Sequence, residues 1–307
     1  MTDILDRIAD KIDKKYSVRR LSDDTVEKVP VVKTRCLGFD YALRCGGVPK
    51  GRIIELFGNE SGGKTTLSLM IADAFVRAGG AVLYIDAEHS LDHNYLKNMG
   101  INCDKIGLCQ PDTLEEGLDI VQQSVTTASE DDKLLVVIDS VAALTPRKEL
   151  ENPMDKETIG LQARLLSKFF RKIKGVANRN KVTLLCINQV RLKVGVMWGN
   201  PETTPGGKAL KFYSSIRIEV NRMETIKNKK NKPIGIRSKV KIVKNKIGCP
   251  FYQTEIEMRG GLGVDYTLNT YEAMKDNNLL NGRSIEDIRS LFGTKKMKKL
   301  RRKLMEA

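Results

Sequence analysis

Residues Gly58-Asn59-Glu60-Ser61-Gly62-Gly63-Lys64-Thr65 place a glycine, four residues and then Gly-Lys-Thr between two apolar stretches. Arg52 to Phe57 before them reads as a buried strand, and Thr66 to Ala72 after them as the start of a helix. Strand, glycine-rich turn and helix in that order form the phosphate-binding loop pattern. A polyanion needs backbone N–H groups converging on it, and Gly58, Gly62 and Gly63 allow the backbone angles this requires. The helix N-terminus adds partial positive charge. Lys64 can meet the β- and γ-phosphates, and the Thr65 hydroxyl can ligate Mg²⁺.

The chain of 307 residues is long enough for one large core with a small appendage. No apolar run approaches a membrane span, and the acidic, amphipathic start at Met1 to Arg7 is unlike a secretory signal. Six scattered cysteines without a Cys-x-x-Cys pair favour free thiols in a reducing, cytoplasmic setting. The net charge of +15 suggests a polyanionic partner, or else simply a basic surface. Charge gathers between Arg222 and Lys246 and again between Lys295 and Lys303.

Residues 1–32 read as an N-terminal helix and linker, 33–265 as the main domain and 266–307 as a small helical region with a basic tail. Ile4, Leu5, Ile8, Ile12 and Tyr16 share one helical face that needs a partner, either the domain or a neighbouring subunit. Strands are expected near 53–57, 81–85, 134–138, 183–187, 215–220, 239–244 and 254–258, and helices near 64–78, 113–128 and 158–179. This alternation argues for an α/β fold with a mainly parallel central sheet flanked by helices. The later strands follow one another without long helices, which suggests an antiparallel extension.

Two apolar strands end in acids. Leu134 to Ile138 leads into Asp139, which at the carboxyl end of a central strand can hold the hydration shell of Mg²⁺. Ala81 to Ile85 leads into Asp86 and Glu88, and Glu88 is the better placed to orient a water for γ-phosphate hydrolysis. The alternative for Asp86 and Glu88 is helix capping or a surface ion pair. His89 and His93, the only histidines, belong to no metal constellation. Asn188-Gln189 end another strand, where a neutral amide can sense the γ-phosphate. The segment from Val190 to Gly207 then mixes basic residues, apolar residues, the sole tryptophan and several Gly and Pro. Such a segment suits a loop that engages nucleic acid by charge and inserted apolar groups, or a lid over a small-molecule site.

The segments GNESGGKTT, YIDAEHSLD, VVIDSVAALTP, INQVRLKVGVMWGNPETTPGGKALKFY and VKIVKNKIGCPF resemble, in order, the bacterial RecA recombinase family. The likeness covers about 35–265, and the long segment after Asn188 is its most specific part. The resemblance implies a RecA-like P-loop ATPase that forms filaments on single-stranded DNA and exchanges strands with homologous duplex. ATP and Mg²⁺ would be its cofactors. Nucleotide would be held by Gly58, Asn59, Glu60, Ser61, Gly62, Gly63, Lys64, Thr65 and Thr66, with Asp92 and Tyr95 at the adenine and Asp139 supporting the metal ligated by Thr65. Glu88 would activate water and Gln189 would couple the γ-phosphate to the following loop. Lys244 and Lys246 would reach the neighbouring subunit's ATP, and Phe212 would sit at that interface. DNA contacts would come from Ile159, Arg164 and Arg171, and from Arg191, Lys193, Val194, Trp198, Gly206 and Gly207.

The chain departs from the family in its short leading helix, in Asn152 to Lys156, and at Ile159, Trp198, Pro205 and Lys208. The C-terminal region is expected to be shortened, as in a compact phage genome, with a basic run from Lys295 to Lys303 in place of an acidic tail. Met297, Leu300 and Leu304 permit one narrow apolar stripe there. Two rivals share these features: a ring helicase driven by ATP and a non-catalytic scaffold that coats DNA.

Overall fold

The computed structural model describes residues 3–12, 29–153, 160–192, 202–203, 205–292 and 294–306. The chain divides into two compact units, Met1–Pro30 and Val31–Ala307. In the first, the helix Ile4–Lys11 presents exposed Ile4, Leu5 and Ile8.

The second unit is built on a nine-stranded sheet. In chain order its strands are β1 (Ile53–Gly58), β2 (Ala81–Asp86), β3 (Ile106–Cys109), β4 (Leu134–Asp139), β5 (Thr183–Gln189), β6 (Ile216–Lys227), β7 (Pro233–Asn245), β8 (Gln253–Arg259) and β9 (Gly263–Val264). Across the sheet they run β9-β8-β7-β6-β1-β5-β4-β2-β3. From β6 to β3 every pairing is parallel, and from β6 to β9 every pairing is antiparallel. The expected antiparallel extension is therefore present. It is longer than its apolar segments suggested, because β6 and β7 continue into a hairpin of 12 and 13 residues.

The apolar runs in the parallel strands follow from burial on both faces. In β4, Leu135 and Val137 point into one core, beneath the helix Lys64–Arg77, while Val136 and Ile138 point into another. The second core lies beneath the helices Leu114–Thr127 and Leu161–Arg179. The four-residue edge strand β3 escaped sequence reading because Ile106-Gly107-Leu108-Cys109 has neither length nor alternation, and Leu108 is exposed.

A third, smaller core joins Leu37 to the helices Tyr266–Asp276, Ile285–Leu291 and Lys295–Glu306. Ser284 opens the middle helix with a reciprocal capping box to Asp287. Met297, Leu300 and Leu304 form the buried stripe of the last helix, with Leu304 wholly inaccessible. The basic run is thus one face of a docked helix. Leu304→Ala should destabilise the protein by about 2–5 kcal/mol, the range for truncating a buried leucine. Urea unfolding would measure it, and an unchanged midpoint would show that the helix does not belong to the cooperative unit.

Candidate nucleotide site and nucleic-acid interface

Parallel strands bring their carboxyl ends to one edge of the sheet. Register sets Gly58 beside Gln189 and Asp86 beside Asp139, so the ends of β1, β5, β4 and β2 line a single crevice. The phosphate-binding loop crosses this edge from β1 to the helix Lys64–Arg77.

Packing as well as ligand chemistry dictates the loop's glycines. A Cβ on Gly58, at φ +155°, would lie 1.9 Å from the Val220 carbonyl oxygen of β6. Gly63, at φ +88°, would drive a Cβ to 2.3 Å from Met258 Sδ. Ser238 Oγ donates to the Gly62 carbonyl at 2.9 Å and fixes the loop from behind. Lys64 turns its ammonium back onto the carbonyls of Gly58 and Asn59, at 3.1 and 2.7 Å. Burial lowers its pKa, and the charges of Asp139, Glu88 and Glu60 partly restore it. The Val190 N–H also donates to the Gly58 carbonyl, which ties the segment after β5 directly to this loop.

Asp139 Oδ2 accepts two hydrogen bonds, from Thr65 Oγ1 at 3.0 Å and Tyr84 Oη at 2.7 Å. Tyr84 is itself in reach of Ser68 Oγ at 3.3 Å. Burial raises the Asp139 pKa against these two donors, and it holds the Tyr84 phenol well above its usual range. Sequence reading missed Tyr84, since a tyrosine in an apolar strand carries no signal beyond its hydroxyl.

Glu88 is exposed, and its Oε1 accepts from Ser140 Oγ at 2.6 Å and from Gln189 Nε2 at 3.2 Å. The strand ends thus bring Glu88 and Gln189 together. Asp86 points elsewhere: it accepts from the Ser90 and Leu91 N–H groups and from Gln110 Nε2, shaping the turn after β2. Tyr95 Oη meets Thr66 Oγ1 at 2.8 Å, and Asp92 caps the helix His93–Asn98 through the Asn94 N–H. Among the described residues no group of three or more His, Cys, Asp and Glu could hold a metal.

Several of the residues expected to face nucleic acid belong to the described part of the chain. Arg164 and Arg171 are exposed on the helix Leu161–Arg179, two turns apart. Arg191 and Leu192 pair antiparallel with Thr203 and Glu202. Gly206 and Gly207 then pack on that helix, where added Cβ atoms would lie 2.5 Å from Leu166 Cδ1 and 2.9 Å from Ala163 Cβ. Ile159, Lys193, Val194 and Trp198 lie outside the described residues. Where the chain enters β6, Lys246 and Phe212 are exposed. Lys244 instead donates within its own chain, to the Lys211 carbonyl at 2.5 Å and the Phe212 carbonyl at 3.3 Å. It thereby closes the end of the helix Ala209–Tyr213.

The family described as the RecA N-terminal domain matches residues 2–265. Protein RecA of Clostridium novyi (strain NT) is 46% identical over 266 residues, covering 87% of this chain and 75% of the relative. Protein RecA of Campylobacter jejuni subsp. jejuni serotype O:2 is 48% identical over 256 residues, covering 83% and 74%. Protein RecA of Caldanaerobacter subterraneus subsp. tengcongensis is 50% identical over 251 residues, covering 81% and 72%. Among solved structures, the RadB recombinase shares the fold with a TM-score of 0.56 at 18% identity, covering 74% of this chain and 95% of that one.

Two substitutions probe this geometry. Gly58→Ala should abolish nucleotide binding and lower stability, because the clash is with backbone; a bound fluorescent nucleotide and a thermal melt report both. Asp139→Asn should stabilise the protein in the absence of nucleotide and metal. Burial raises the Asp139 pKa, so the folded chain holds that proton more tightly than the unfolded one. Ionised Asp139 therefore costs stability at neutral pH, and the cost fades as pH falls through the raised pKa. The gain from Asp139→Asn should be largest near neutrality and shrink on acidification. A gain that grows as pH falls would contradict the burial argument.

Proposed function

The chain belongs to the RecA family, and we propose that it is an ATP-dependent recombinase of homologous recombination and DNA repair, which assembles as a helical filament on single-stranded DNA and exchanges strands with homologous duplex. The observation that carries this is the contact between Glu88 and Gln189, which joins the hydrolytic edge to the segment entering the basic loop.

Residues 58–66 cradle the phosphates of ATP, and Tyr95 with Asp92 flanks the adenine. A divalent cation fits the oxygen donors at hand, the Thr65 hydroxyl and the Asp139 carboxylate, and Mg²⁺ is the hard cation such donors prefer. When bound, it neutralises charge developing on the β- and γ-phosphates. Thr65 keeps its proton on Asp139 while offering a lone pair outward. Glu88, with Oε1 held by Ser140 and Gln189, keeps Oε2 for an attacking water. A γ-phosphate that draws the Gln189 amide away from Glu88 shifts the start of the DNA-contacting segment at the same time. Lys246 extends to the ATP of the adjoining subunit, and Lys244 joins it there on leaving its helix-end carbonyls. Filament assembly and nucleotide state then form one equilibrium.

No described helix is long and apolar enough to cross a membrane, and the reading places the protein in the cytoplasm with DNA. Lys296, Lys299, Lys303 and Arg283 line a groove of about 590 Å³ in the C-terminal region, suited to the phosphates of duplex DNA.

Electron microscopy with single-stranded DNA and a non-hydrolysable ATP analogue should show regular extended filaments; closed rings would instead favour a helicase. Glu88→Gln should retain nucleotide binding while turnover falls about a hundredfold or more. Lys64→Ala and Lys246→Ala proteins, each inactive alone, should recover DNA-dependent turnover when mixed, since some interfaces would be complete. No recovery at any ratio, with co-assembly established, would remove the shared site. Substituting Gln for Lys296, Lys299 and Lys303 should weaken duplex binding at low salt, and the difference should vanish as salt rises.

A further inference from the structure

Glu55 is a wholly buried carboxylate in β1 that neither phosphate binding nor hydrolysis uses. Its Oε2 accepts from Arg217 Nε at 2.5 Å, and the Arg217 guanidinium lies 4.3 Å from the centre of the Phe57 ring. Its Oε1 faces Asn188 Nδ2 at 3.4 Å. A buried ion pair is rarely the most stable way to fill such space, because apolar residues of similar volume do as well. What Glu55 orders is therefore more informative than its pairing.

Asn188 and Gln189 are adjacent on β5, so their side chains leave the sheet on opposite faces. Gln189 reaches Glu88 in the crevice, whereas Asn188 is fully buried. Besides Glu55, Asn188 Nδ2 donates to the Pro205 carbonyl at 3.2 Å, and Asn188 Oδ1 accepts the Gln189 N–H at 3.1 Å. The amide nitrogen thus lies between two acceptors and the amide oxygen faces a donor, which fixes its orientation. Between Gln189 and Pro205 the described stems are paired through Arg191 and Thr203. Asn188 bonds the chain on both sides of these stems from inside the protein.

We infer that Asn188 and Glu55 are positioning residues for the DNA-contacting segment. Arg217 fixes Glu55, Glu55 orients the Asn188 amide, and Asn188 holds the Pro205 carbonyl, so the stems are set before DNA arrives. Preset stems reduce the ordering cost of binding. The inference rests on the proposed reading that this segment contacts DNA.

The test uses the chain of 307 residues, a fluorescent oligo(dT) and a non-hydrolysable ATP analogue. Asn188→Ala removes the donor, and Asn188→Asp sets a second carboxylate against Glu55 and the Pro205 carbonyl. Oligo(dT) affinity should fall about tenfold for Asn188→Ala and further for Asn188→Asp, the scale of an unpaired or repelled buried group. KM for ATP and turnover without DNA should stay within about twofold of the parent, a split that general destabilisation would not give. Adding Glu55→Gln to Asn188→Asp exchanges donor and acceptor at unchanged net charge, and should recover part of the lost affinity. If changes at Asn188 prevent folding, Glu55→Gln alone, an isostere, should lower oligo(dT) affinity severalfold. Folded variants that bind oligo(dT) as the parent does, or that lose ATP and DNA affinity together, overturn the inference. A parent that binds no single-stranded DNA overturns the reading of the segment and this inference with it.

Discussion

Asp139 is the point on which the crevice turns. One oxygen of its carboxylate takes hydrogen bonds from the helix after the phosphate loop, through Thr65, and from the neighbouring strand, through Tyr84. Three elements far apart in sequence are thereby held within two bond lengths of one charge. The arrangement works against the chain's own stability, since burial opposes ionisation there and also opposes the charge on Lys64. Burial disfavours both charges, and that of Asp139 restores only part of what Lys64 loses. Strain of this kind is what a site assembled for a polyanion should show before the polyanion arrives.

The parallel half of the sheet and its motif were legible because each rests on local chemistry. Glycines at special angles, apolar runs and acids at strand ends all leave marks at fixed spacing. The missed features depend on partners distant in sequence. Tyr84 looks like any strand tyrosine until the hydroxyl meets Asp139 from the next strand. Glu55 reads as an oddity within an apolar run, and only Arg217 and Asn188 explain it. The split between Asn188 and Gln189 follows from strand alternation at the last residues of β5. Lys244 meets carbonyls of its own chain, because the hairpin register brings it against the end of the helix Ala209–Tyr213. The last helix combines both cases: its apolar stripe was visible, but the third core that receives it was not.

The two faces of the sheet edge carry different burdens. On the crevice side, side chains are arranged for charge that comes and goes. On the opposite face Glu55 orients Asn188, which holds the Pro205 carbonyl through hydrogen bonds that no ligand need alter. Such a division lets the upper groups move while the frame keeps its register.

The crowding at Gly58 bears on how such loops drift in evolution. The Val220 carbonyl of a neighbouring strand, and no ligand, forbids a side chain there. A descendant that abandoned nucleotide altogether would still need this glycine, and Gly63 as well while Met258 stays in place. Lys64 would be the first to go, since its buried charge works against the empty fold. In degenerate relatives, then, surviving glycines record an ancestry of shape, and the lysine alone records a living chemistry.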